Sequence, residues 1–112
     1  MIQASSIIGC SKATVMQKFP HHRINFIPDP SNLDKELMEI WLENVGITYI
    51  INKQDICIAG YLFLDDATKL EKYLNICNRC FKIVAKNSWR YKNCRIELKK
   101  EGADFYFEFT PN

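Results

Sequence analysis

Cys77-Asn78-Arg79-Cys80 is the one cysteine pair of this chain at motif spacing, and two chemistries use such a pair. Thiol–disulfide exchange needs the reactive thiol at a helix N-terminus, where the dipole lowers its pKa. Here the pair falls at the end of a segment patterned as a helix, which is the opposite polarity. A zinc site needs four ligands. Cys94 could be a third and Cys10, His21 or His22 a fourth, but no second pair stands at ligand spacing. The pair reads as core packing, with no metal and no cofactor. His21-His22 follows Pro20 without a Ser, Cys or Asp at a catalytic spacing. Gly-rich phosphate loops, GxSxG, HExxH and DxD are absent, and four glycines leave little for a nucleotide cradle. The sequence reads as non-enzymatic.

Lys86-Asn87-Ser88-Trp89-Arg90-Tyr91-Lys92-Asn93-Cys94-Arg95 interleaves aromatic rings with cations. Single-stranded nucleic acid is held by such mixtures, with cations on phosphates and rings under bases. Trp, Tyr and Arg also dominate the energetic centres of protein interfaces. The candidate partner-binding residues here are Lys86, Trp89, Arg90, Tyr91, Lys92 and Arg95. Charge is sorted along the chain. Residues 29–72 hold nine acids and four bases, a net of −5, and residues 79–100 hold eight bases and one acid, a net of +7. Such a field steers a charged partner without setting a fold.

The N-terminal stretch Ser5-Ser6-Ile7-Ile8-Gly9-Cys10-Ser11-Lys12-Ala13-Thr14-Val15 resembles the helix-turn-helix of repressor DNA-binding domains. A small residue precedes the turn glycine by four and an aliphatic residue follows it by six, as Ser5, Gly9 and Val15 do. The resemblance implies that Ser11, Lys12, Ala13 and Gln17 face the major groove. Lys18 stands where the pattern carries an apolar residue that packs inward.

The remaining pattern supplies a scaffold. Ser31 as N-cap, the stripe Leu33, Leu37, Ile40, Trp41 and Asn44/Val45, and Gly46 as a stop predict a helix over about 32–45. Glu36, Glu39 and Glu43 would line its exposed face and form an acidic partner-binding surface. A second helix is predicted from about Ala67 to Asn78, capped by Asp65 or Asp66. Strands are predicted over 22–27, 47–52 and 56–64. After the second helix the period changes to two: Cys94, Ile96 and Leu98 alternate with Arg95, Glu97 and Lys99, and Phe105, Phe107 and Phe109 with Asp104, Tyr106 and Glu108. This order, β-α-β-β-α-β with further strands behind, predicts an α+β fold: two helices on one face of a mainly antiparallel sheet, a ferredoxin-like sandwich. The expected core joins Leu33, Leu37, Ile40, Trp41, Leu70, Leu74, Ile58, Leu62, Phe105 and Phe107.

At 112 residues, with 47% hydrophobic and 25% charged content, the chain reads as one domain over 1–112, with 1–20 as an N-terminal helical extension. Five cysteines, an odd number, argue for reduced thiols and a cytoplasmic location. No apolar run reaches the roughly 18 residues of a membrane helix. Together these features point to a small binding protein that masks or inhibits a macromolecular partner, as immunity proteins, antitoxins and phage-encoded inhibitors do. Another protein is the leading partner. DNA, through the helix-turn-helix-like segment 2–19, and single-stranded nucleic acid, through the hairpin 86–95, are the alternatives.

Overall fold

The computed structural model describes residues 1–42 and 45–112. Two short helices, α1 (Ile2–Ser6) and α2 (Lys12–Lys18), precede four strands: β1 (Ile24–Pro28), β2 (Glu36–Leu42), β3 (Val45–Ile51) and β4 (Cys57–Leu64). Helix α3 (Ala67–Cys80) then leads into β5 (Lys82–Ala85), β6 (Ser88–Tyr91), β7 (Cys94–Glu101) and β8 (Asp104–Pro111). One eight-stranded sheet has the order β1-β2-β3-β4-β8-β7-β6-β5, antiparallel at every pairing. The first half is two short helices and the second half one longer helix, each followed by a four-strand meander, and the last strands of the two halves, β4 and β8, pair at the centre. Helix α3 carries the chain from the centre, at β4, to the far edge, at β5.

The expected ferredoxin-like sandwich is therefore wrong, and its cause is the helix predicted over about 32–45. Residues 36–42 form a strand there, paired with β3. Leu37, Ile40 and Trp41 fit a helical stripe, but the same segment read at period two buries Met38, Ile40 and Leu42 almost completely. Pairing with β1 on one side and β3 on the other engages the backbone of the strand, and its pleat buries that set, so tertiary context overrides the local pattern. The residues read as a helix cap make turns instead. Ser31 donates its backbone N–H and its hydroxyl to Asp29 Oδ1, and Asp34 N–H donates to Asn32 Oδ1. Leu33, placed in the core by the stripe, is 92% exposed in this loop.

Alternation sorts the sheet residues into two faces. One face meets the helices. It holds Met38, Ile40, Tyr49, Leu62, Ile96, Phe107 and Phe109, and α2 adds Val15, all in one buried cluster. Tyr49 is its keystone: its hydroxyl donates to Ala4 O in α1 at 2.6 Å, and its ring lies against Gly60 on β4, leaving no room for a Cβ there. Tyr73 of α3 packs edge-on to Phe107, and Asp66 caps that helix by accepting from Lys69 N–H. Of the expected core, Ile40, Leu62 and Phe107 lie here fully buried, and Leu70, Leu74 and Phe105 pack partly buried against it.

Candidate interaction face

The second face of the sheet carries no helix among the described residues. By register its left half is made of Ile27 on β1, Leu37 and Trp41 on β2, Ile50 on β3, Tyr61 and Phe63 on β4, and Tyr106 on β8. Trp41 is 55% exposed and Phe63 56% exposed. Trp41 stands opposite Gly46, where a Cβ would sit 3.5 Å from its six-membered ring. The indole thus covers a glycine of the neighbouring strand with one side and shows the other to solvent. Gly46, expected to stop a helix in a left-handed conformation, is an extended strand residue. Phe63 stacks on Tyr106 with ring centroids 5.0 Å apart and 27° between planes. Trp41, Gly46, Phe63, Asp65 and Lys69 line a shallow cleft of about 170 Å³ at this end of the sheet.

The other half of the face is polar. Lys99 Nζ contacts Glu108 Oε1 at 2.7 Å, and Arg95 Nε contacts Glu97 Oε1 at 2.8 Å. The Glu108 carboxylate raises the Lys99 pKa above its ordinary value. Burial first, and then Glu108, raises that of the Tyr61 hydroxyl on the neighbouring strand. Lys82, Arg90 and Arg95 complete this half.

The basic-aromatic segment does not present its rings and cations together. Period two sends Trp89 and Tyr91 to the helix side and Arg90 to the other. Trp89 is 3% exposed, its Nε1 donates to Asn78 Oδ1 at 3.0 Å, and its ring packs near Phe107. Tyr91 is half-buried against Phe81. Lys86 and Lys92 are exposed in the turns that flank β6. Of the three glutamates expected on one helix face, Glu36 and Glu39 lie on opposite faces of the sheet. Glu36 lies on the helix side of β2, with Oε1 2.6 Å from Lys12 Nζ, and Glu39 lies on the open face. Glu43 falls outside the described residues.

In the N-terminal segment Ser11 caps α2 by accepting from Thr14 N–H, and it bridges to Ile56. Lys12 is held between Glu36 and the Phe26 ring. Of the residues the resemblance aims at a groove, Ala13 and Gln17 are exposed and otherwise unengaged. All five cysteines are free, and no group of acids, His and Cys suited to a metal occurs among the described residues. Burial pushes the thiols of Cys57, Cys77 and Cys94 up to about 12. His21 and His22 are exposed, with His22 edge-on to Phe19. No described helix is long and apolar enough to cross a membrane. Compared with protein-family models, curated proteins and solved structures, the chain matches none.

Proposed function

We propose that this chain is a non-enzymatic binding protein that masks a macromolecular partner, most simply another protein, with the helix-free face of its sheet. One observation carries the reading: Trp41 and Phe63, each more than half exposed, stand with Leu37, Tyr61 and Tyr106 on a single uncovered face. Scattered surface apolar residues need no explanation, but a contiguous patch rimmed by charge marks an interaction surface. The residue types are those of interface centres, and the ordered strands beneath them lose little entropy on binding.

A second reading, single-stranded nucleic acid, is favoured by one feature, the open side of the Trp41 ring, on which a base could stack. Capture from native lysate separates the two. Wild type should retain a stoichiometric protein after nuclease treatment. Trp41→Arg combined with Phe63→Arg should lose it, and Met16→Arg on the exposed side of α2 should keep it. Retention by the double variant would refute the proposed face, and loss of all partners on nuclease treatment would establish the nucleic-acid reading instead.

A further inference from the structure

The open face ends in a row of like charges. Lys82 on β5 stands opposite Arg90 on β6, and Arg90 opposite Arg95 on β7. Adjacent strands lie about 4.8 Å apart, so three cations sit on successive strands in one line. Like charges directly opposite each other destabilise a sheet. Arg95 shares its charge with Glu97, whereas Lys82 and Arg90 have no ion-pair partner among the described residues. No described element covers the row, so folding gains nothing from placing these charges together. The row continues across the sheet to Thr110 on β8.

The neighbouring row holds the carboxylates of the face. Glu39 is opposite Asn25 and Thr48, Glu108 is opposite Tyr61, and Glu97 is opposite Glu108 and Ser88. Glu97 and Glu108 are already paired with Arg95 and Lys99. A polyphosphate lying along the face would pass the unpaired Glu39, and the cation in the cleft beside Trp41, Lys69, is already paired with Asp65. A protein segment that is apolar at one end and acidic at the other would meet rings at one end and cations at the other, and would cross Glu108 and Glu97 where Lys99 and Arg95 already neutralise them.

We propose that Lys82, Arg90 and Arg95 form a receiving site for the carboxylates of an acidic protein segment whose apolar end rests on Trp41 and Phe63. This inference rests on reading the open face as an interface. The probe is a fluorescein-labelled peptide of leucines followed by glutamates, measured by anisotropy at low salt beside a labelled oligothymidylate. Arg90→Glu places an acid between Lys82 and Arg95 and so replaces repulsion with attraction. It should leave thermal stability unchanged or higher while weakening the peptide at least tenfold. Arg90→Gln should weaken it less. An Arg90→Glu variant that folds and keeps wild-type affinity overturns the row. Trp41→Ala tests the underlying reading separately: it should weaken the peptide without changing the salt dependence of binding. Weakening by Trp41→Ala alone refutes the row and keeps the interface. No peptide binding by wild type, or no effect of either variant, refutes both. Tighter binding of the oligothymidylate, lost in Arg90→Glu, overturns the acidic protein as occupant.

Discussion

Gly60→Ala is the substitution that most sharply tests how the two faces are assigned. Tyr49 is pinned at both ends: its hydroxyl is bonded to Ala4 O at 2.6 Å and its ring lies over Gly60, opposite it in the ladder. A Cβ at residue 60 would sit 2.6 Å from Tyr49 Cε1 and 2.7 Å from Cδ1. The ring is fully buried, so it cannot swing into solvent, and moving it away breaks its hydrogen bond. Overpacking costs about 1–3 kcal/mol. An unsatisfied buried carbonyl adds about 1–3 kcal/mol. The lower unfolded-chain entropy of alanine offsets about 0.5 kcal/mol. The net loss is about 2–5 kcal/mol, a fall in Tm of about 8–20 °C at this chain length. Urea unfolding followed by fluorescence gives the value, and an unchanged m-value shows that the denatured state is the same. On a Tyr49→Leu background the obstacle is gone, so the same change should cost under about 0.5 kcal/mol. A wild-type-like Gly60→Ala single variant would refute the Tyr49–Gly60 register. A slip of one residue would turn Tyr61 and Phe63 to the helix side and remove the proposed interface.

Ile40→Ala should cost about 2–5 kcal/mol because it opens a cavity under the helices, whereas Leu37→Ala on the open face should cost about 1 kcal/mol or less; denaturant midpoints of the two variants check the strand assignment. Iodide should quench the fluorescence of Trp41 and spare that of Trp89, as Trp41→Phe and Trp89→Phe will show. A thiol reagent should label Cys10 and Cys80 in the native protein and reach Cys57, Cys77 and Cys94 only on unfolding. Because burial pushes those three thiols up to about 12, from an ordinary value of 9.0, the unfolded chain loses their protons first. The contribution of the thiols to stability should therefore be constant at neutral pH and fall as pH rises through about 9 toward 12, with Tyr49 acting in the same direction. Ser88→Ala should be neutral or stabilising in thermal melts, since its buried hydroxyl has no partner among the described residues.

The C-terminal half was legible because alternation there is strict. Ile96 and Leu98 against Arg95, Glu97 and Lys99, and Phe107 and Phe109 against Tyr106 and Glu108, stand on opposite faces as their period requires. Helix α3 was legible from its cap and stripe. The segment 36–42 was not, because Glu-Leu-Met-Glu-Ile-Trp-Leu satisfies both periods, and the deciding term, pairing with β3 over Tyr49, is non-local. That one ambiguity hid the candidate face. A helix buries Trp41 with Leu37 and Ile40, while a strand separates Trp41 and Leu37 from Ile40. Strand β4 hid Phe63 in a related way, since its near-continuous apolar run has no alternation to tell a covered face from an open one. The odd-numbered positions Tyr61 and Phe63 held the signal, two aromatics spaced by two on a chain whose Tyr106 answers them from β8. In the basic segment the residue types were visible, but their division between faces follows only once Trp89 is known to reach Asn78.

Hydroxyl-radical footprinting of the chain, free and bound to the protein captured from lysate, tests the central claim most directly. Binding should protect Trp41, Phe63, Tyr61 and Tyr106 and leave Met16 and Ile2, exposed on the helix side, as reactive as before. Protection of Met16 and Ile2 with Trp41 and Phe63 still open to attack would place the partner on the helices and contradict it.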